Sequence, residues 1–591
     1  MDESLAGYFS AAPGPPLTVA EVVDRLATSP SDEGITDALD RGAQALVGHD
    51  LIHRLVPFAA RLRDVNYDDH PWGALSAGVA ICAVDRVRGR AVLVTAREAF
   101  ANAGNPDGEG WACFLEGLED LGEGNISSAE TWWNRSRALL GPTAPASQLS
   151  ASHLSLAAYR VGDLAQAARI AENALGDARI RKDDRLIAIS GVYLALFRWW
   201  MGDFDAVVRA AQSGQDALAR ISDPLDRYEE PLMHAAFGTV STMRGDVETG
   251  ARHLEAGIAK SVELHNEWYE AIVRTIRAVV MSEHDPLRGI DDARRALDYY
   301  ESVGEEWWSL WALEAYVIAQ REYGDLHASA TAGRKLMQRV DNHLERGRAR
   351  LELATTLILL GDTDEPRDLL TQSIAELEHA GARYLTARAE LQLARISHNR
   401  SAYLLRSARA RAGANADDPA WKRLLRGASI RIDILGAARV QVEGRVLSFP
   451  TRHELEALAA LALAGTDGVS TERLCEMLWP SCGPDASRHR LDVLVSSLRQ
   501  NLMPATRLTR ANGVLQLDID EDECDVVRAV ATCRRFLADR SLPVEDACVA
   551  LESRLLGGAN EDWVIDEQQQ LDELRTRVET LIPAARPVAS A

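Results

Sequence analysis

Five arginines, Arg488, Arg490, Arg499, Arg507 and Arg510, fall between residues 486 and 510, where Asp492 is the lone carboxylate. A guanidinium presents a fixed fork of donors that matches phosphate oxygens, so such a cluster reads as a contact surface for a polyanion. The spacing supports that. In DASRHRLDVLVSSLRQNL the residues Leu491, Leu494, Val495, Leu498 and Leu502 recur at helical intervals and predict one buried face. The opposite face then carries His489, Asp492, Val493, Ser496, Ser497 and Gln500, with Arg488, Arg490 and Arg499 on its flanks. Downstream, TRLTRANGVLQLDID predicts a hairpin turning at Asn512-Gly513, which sets Arg507 and Arg510 near its tip.

Other chemistries lack their residues. No Gly-Lys pair occurs, which excludes a phosphate-binding loop of the Walker type. Seven cysteines stand singly, without Cys-x-x-Cys spacing or a histidine cluster, so neither a zinc site nor a disulfide framework is expected. They read as buried thiols of a reducing compartment; a redox switch at Cys475 or Cys482 has no charge pattern to recommend it. The carboxylates read as solvated helix faces. No enzyme activity and no cofactor are expected. No apolar run approaches the ~20 residues of a membrane span, and MDESLAGYFSAAPGPP lacks the basic patch and apolar core of a secretory signal. The expectation is a cytoplasmic protein with no membrane contact. Its basic residues are almost all arginine, a bias that suggests a GC-rich bacterial genome.

The elements around the arginine-bearing helix are legible. SIRIDILGAARVQVEGRVLSFP alternates apolar and polar residues, with turn points at Gly436 and Glu443-Gly444, and predicts a small antiparallel sheet. TRHELEALAALALAG predicts a helix capped by Thr451 and ended by Gly465. STERLCEMLW predicts a second, with Ser470 as cap, Val469 and Leu474 as a hydrophobic staple, and Pro480 as stop.

Two-thirds of the chain lies upstream and repeats itself. Gly-Asp or Gly-Asn recurs at Gly124, Gly162, Gly202, Gly245, Gly324 and Gly361, with Glu283-His284-Asp285-Pro286 filling the missing beat. The spacing is roughly 40 residues, in the range of helical-hairpin repeats. Glycine ends one helix in a left-handed conformation and the next residue caps the following one. Ala129, Ala167 and Gly250, each five residues after a turn glycine, allow close helix approach. The paired tryptophans Trp132-Trp133, Trp199-Trp200 and Trp307-Trp308 read first as packing between hairpins and second as a ligand wall.

The array, over about residues 70–410, resembles tetratricopeptide repeats in the longer, degenerate form of large bacterial transcription activators; HEAT-like hairpins would give similar spacing. The sheet, three helices and hairpin resemble the OmpR-type winged helix, and most closely that of the SARP (antibiotic regulatory protein) activators. The matching residues are Ile434–Gly436, Leu478–Pro480, Leu498-Arg499 within SSLRQNL, and Gly513–Asp518. Leu556-Gly557-Gly558, Asp562-Trp563 and the closing helix from Leu571 resemble the start of the bacterial transcriptional activator domain that follows SARP winged helices. The expected fold is therefore mostly α. A helical cap (1–70) and a tetratricopeptide-like α-solenoid (71–411) lead through a linker (412–428) to an α+β winged-helix domain (429–520) and a short helical segment (521–591).

The resemblance implies a sequence-specific transcription regulator, an activator, whose helix 485–502 reads the major groove of double-stranded DNA. It implies base contacts at Asp492, Val493 and Ser497, and phosphate contacts at His489, Arg490, Ser496 and Arg499, with Arg488 also among the DNA-binding residues. Arg507 and Arg510 would reach the backbone from the wing. Relatives often carry basic residues at the positions of Ser496 and Ser497. The loop Ser481–Asp485 would touch RNA polymerase. Residues 429–520 hold ten Arg against eleven Asp or Glu, so one copy should bind weakly; a homodimer on adjacent half-sites, or RNA polymerase, would supply the rest. Residues 1–428 carry about −15 of the total −23, so the array should not bind DNA. It would take a peptide, a protein or a small-molecule signal. The competing reading is an adaptor in which a degenerate winged helix and the repeats serve protein–protein interaction.

Overall fold

The computed structural model describes residues 15–47, 52–222, 224, 227–397, 401–426, 430–442, 445–449, 451–502, 508–511, 513–519, 521–540 and 543–582. It divides into two compact units, Met1–Arg423 and Leu424–Ala591.

The first unit is a solenoid of antiparallel helical hairpins, from Pro71–Cys82 and Arg86–Asn102 to Arg383–Arg395 and Ser401–Ala412. Its turns follow from the glycine beat. Gly124, Gly162, Gly202, Gly245, Gly324 and Gly361 all take φ between 75° and 100°, a region that costs other residues strain. Asp163, Asp203, Asp246 and Asp325 then accept the amides of Gln166, Ala206, Thr249 and Ala328, at 2.9–3.2 Å. At the missing beat Asp285 accepts the Arg288 amide and Pro286 opens the helix. Ala129 and Ala167 are fully buried. A Cβ on Gly250 would stand 3.0 Å from the Gly238 carbonyl, so that crossing requires glycine. At the start of the chain, Asp40 on the helix Asp32–Leu46 accepts from His70 and from the Gly73 amide, both at 2.6 Å, tying the first helices to the array.

Helix pairing alone does not account for this unit, because early repeats bond to late ones. Arg86 donates to the Gly304 carbonyl at 3.4 Å and Asn342 to that of Arg160 at 3.0 Å. Arg423 donates to Thr242 at 3.2 Å, and Arg244 pairs with Asp418. The segment 412–428, expected as a linker, carries the helix Pro419–Arg426. Its Trp421 is 0% exposed and donates Nε1–H to the Gly202 carbonyl at 2.7 Å. This segment is structural because it satisfies a carbonyl that the helix Asp184–Met201 and its cap leave open.

In the second unit, β1 (Ile430–Asp433), β2 (Arg439–Val442) and β3 (Arg445–Val446) form an antiparallel sheet with Ile430 opposite Val442. The helices Arg452–Ala464, Thr471–Leu478 and Pro484–Asn501 follow. Between the first two lies β4 (Val469–Ser470), which pairs with β6 (Val514–Leu517) of the hairpin β5 (Leu508–Ala511)–β6, in the order β4-β6-β5. The expected turn Glu443-Gly444 lies outside the described residues.

Residues beyond 520 do not stand apart from this unit. Val526, Phe536, Leu551, Trp563, Leu571 and Val578 share one core with Ile432, Leu458, Leu491 and Leu515. The amides of Ile434 and Leu435 donate to Asp525 at 2.9–3.0 Å, and the Leu556 amide donates to the Ile434 carbonyl at 2.7 Å. A segment of about 70 residues rarely supplies a sufficient core alone; here it completes another.

Candidate nucleic-acid interface

The helix Pro484–Asn501 starts at Pro484, whose fixed φ suits a first helical turn, with Gly483 as N-cap. Leu491, Leu494, Val495, Leu498 and Leu502 are all buried, as their spacing requires. The hairpin is fixed beside this helix. Gly513, at φ 78°, directs its carbonyl to both the amide and the hydroxyl of Thr471, each at 2.7 Å. Asn512 and Arg507 lie outside the described residues.

On the opposite face His489, Arg490, Asp492, Val493, Ser496 and Arg499 are exposed; Val493 is 59% exposed, a large apolar side chain in open water. Ser497 is half-buried and its hydroxyl accepts from Asn501 at 3.4 Å. The arginines differ in their engagements. Arg510 pairs with Asp492 at 2.6 Å and donates to Thr471 at 3.4 Å. Arg488 pairs with Glu472 at 3.1 Å. The Arg499 Nε–H donates to the Leu508 carbonyl at 3.2 Å, bracing the helix against β5. Arg490 reaches the Cys482 sulfur at 3.0 Å, and Cys482 is the one cysteine of the chain that is not buried. The loop expected over Ser481–Asp485 is shorter, because Pro484 and Asp485 already belong to the helix.

Sequence reasoning did not anticipate the pairs Asp492–Arg510 and Arg488–Glu472. Both join separate elements, so no local spacing announces them. They leave Arg490 and Arg499, bonded to a sulfur and a backbone carbonyl, as the guanidinium groups of this face without a carboxylate partner among the described residues.

The tryptophan pairs separate by role. Trp133 is buried with its Nε1–H on the Phe114 carbonyl at 3.2 Å, and Trp132 lies under Arg97. Trp199, Trp307 and Trp308, with Trp268 and Trp311, instead line a cavity of about 770 Å³ inside the first unit. Among the described residues no group of His, Cys, Asp and Glu could hold a metal ion, and no helix is long and apolar enough to cross a membrane.

No protein-family model matches the sequence, and no curated protein matches it. Solved structures do. EmbR of Mycobacterium tuberculosis, in complex with a low-affinity phosphopeptide, is 22% identical over 26% of this chain, with a TM-score of 0.22; the match spans 44% of EmbR. A Rap protein complexed with competence and sporulation factor is 11% identical, covering 72% of this chain and 99% of that one, TM-score 0.37. A signal transduction ATPase with a tetratricopeptide repeat sensor from Pyrococcus horikoshii is 13% identical over 64% of this chain and 63% of its own, TM-score 0.33. The first unit is, on its own geometry, a solenoid of repeated antiparallel helical hairpins.

Proposed function

We propose that the protein is a DNA-binding transcription regulator, an activator, in which residues 430–517 form an OmpR-type winged helix and Pro484–Asn501 enters the major groove. The observation that carries this reading is one exposed helix face where Arg490, His489, Val493 and Ser496 stand over a fully buried leucine row, with a hairpin braced at its side. A groove-reading helix needs that combination: an apolar group for a thymine methyl, polar groups for base edges, and cations for phosphate.

The Asp492–Arg510 pair fits the same reading as a latch. Both partners are partly exposed (54% and 32%), and such pairs contribute about 0–1 kcal/mol. A phosphate can therefore take Arg510 at small cost and release Asp492 to accept from a cytosine amine. With ~4–6 phosphate contacts, the logarithm of affinity should fall against the logarithm of salt with a slope of about −4 to −5. Two copies on adjacent half-sites, or RNA polymerase at the segment before Pro484, would raise the affinity. The repeat array would hold the signal-receiving partner and mask or expose the reader. The protein would act in the cytoplasm, on the nucleoid, as a binding protein and not as an enzyme.

The test is a salt titration of binding to duplex DNA by fluorescence anisotropy, with Arg490→Ala and Arg499→Ala. Support requires a salt-dependent isotherm weakened by both substitutions. An isotherm unchanged by either one excludes this face. A second reading, an adaptor that docks protein on the same surface, is favoured by the internal neutralisation of Arg488 and Arg510; it predicts no isotherm with any duplex.

A further inference from the structure

The first unit handles cations in its interior in a repeated way. Arg348 lies between Trp200 and Trp311, with its guanidinium carbon 4.0 and 4.5 Å from the ring centres, and bonds Glu314. Arg160 lies 4.2 Å over Trp307, with Glu345 at 3.7 Å. Each arrangement joins a tryptophan face, which attracts positive charge through its quadrupole, to a carboxylate. Each holds a cation belonging to the chain itself.

Beside them lies the cavity of about 770 Å³, a volume that suits a small organic molecule. It contains the same two ingredients, but its one guanidinium, Arg86, is not over a tryptophan face. Among the described residues, no guanidinium covers Trp268 or Trp308, which meet edge-on at 6.4 Å. In the same wall stands Glu305, 2% exposed, the N-cap of the helix Glu306–Tyr323, with its carboxylate buried near the amides of Trp307 and Trp308 and no closer cation than Arg86. The nearest cation, Arg86, is 3.9 Å from Glu305 and is shared with Glu119 at 3.8 Å. Four carboxylates (Glu119, Glu267, Glu270, Glu305) and one guanidinium, Arg86, line the space, and the remaining walls are mainly apolar and aromatic. Carboxyl groups thus outnumber guanidinium groups in a lining whose surface is mainly apolar.

We propose that this cavity binds a small organic cation, an ammonium carried on an apolar body, with the charge near Glu305 and the body against Trp268 and Trp308. The inference stands apart from the DNA reading, because binding is measured on the array with no nucleic acid present.

The electrostatics agree. Burial pushes the Glu305 carboxyl up to about 7, with Arg86, the amides of Trp308 and Trp307, and Arg160 pulling it back. Burial, and then Glu267 and Glu305, push the neighbouring Tyr299 hydroxyl up, and Glu119 and Glu345 draw on the two arginines. A bound cation adds positive charge beside a carboxyl that Arg86 approaches only to 3.9 Å, so cation binding should tighten as pH rises through 7.

The test is calorimetric titration of the full chain with four probes: tetraphenylphosphonium against tetraphenylborate, which share a shape and differ in charge, and 4-phenylbutylammonium against 4-phenylbutanol. The expected result is that each cation binds at least roughly tenfold more tightly than its counterpart. Glu305→Gln should cut that preference several-fold. Trp308→Leu, which keeps the bulk and removes the π face, should weaken the cations more than the alcohol. Far-ultraviolet melting of both variants verifies that the array is folded. Binding of neither cation, equal binding of tetraphenylphosphonium and tetraphenylborate, or a preference untouched by either substitution would overturn the proposal.

Discussion

Arginine is the common currency of both units, and its two uses differ in kind. Inside the array, Arg348, Arg321, Arg388 and Arg277 are sealed against Glu314, Glu352 and Asp292, most of them nearly inaccessible to water. On the helix Pro484–Asn501, Arg488, Arg490 and Arg499 stand in solvent, with a surface carboxylate, a thiol and a backbone carbonyl as their partners. A buried ion pair has already lost its water, so removing one partner strands the other. A surface arginine keeps its water and can exchange partners at little cost. Cations of the first kind hold a fold; those of the second kind remain free to meet a ligand.

The largest effect that would sharpen this contrast is Arg348→Met. It leaves Glu314 without its counter-charge between two tryptophans, and should destabilise the first unit by about 3–5 kcal/mol, read by urea denaturation. Restoring neutrality with Glu314→Gln in the same chain should recover much of that loss.

Next is the pH dependence of stability. Burial pushes the Glu305 carboxyl up to about 7 in the folded chain against an ordinary 4.5. Its folded-state value is raised, so the stability it contributes is complete below pH 4.5 and is lost as pH rises through 7. The loss should be on the order of 3 kcal/mol. The difference in stability between wild type and Glu305→Gln should grow over that window in favour of the variant. A flat difference would place the carboxylate in better company than its bonds indicate.

Smaller effects belong to the outer surface. Arg490→Ala should change stability by less than about 0.5 kcal/mol, yet weaken DNA binding and lower the salt slope by about one. Asp492→Asn should cost under ~1 kcal/mol and steepen the salt dependence, because Arg510 no longer has a competing partner. An Arg490→Ala protein that unfolds as readily as Arg348→Met would break the distinction between the two classes.

Local order was well written in the sequence. The glycine beat, the aspartate caps and the leucine row each depend on residues within a few positions of one another, and each appears where its spacing put it. Contacts set by geometry over long separations were illegible. Nothing near Trp421 announces Gly202, nothing near Arg86 announces Gly304, and the supposed linker became a docked helix for that reason. The segment after residue 520 looked separable because it resembles the start of a different domain; only three-dimensional packing shows its helices completing the core over β1. At the candidate interface, the exposed set was readable from helical period. The pairing of Asp492 with Arg510 was not, since the hairpin brings them together across eighteen residues. The tryptophans could not be sorted at all, because neighbours such as Trp132 and Trp133 sit under a cation and within the core respectively.

The most direct test of the central claim is selection of bound duplexes from a random-sequence pool, with the wild type run beside Asp492→Ala and Val493→Ala. The account predicts one enriched motif for the wild type, with altered base preference at distinct positions in each variant. No enrichment, or a motif that both variants reproduce unchanged, would contradict the assignment of this helix as the reader.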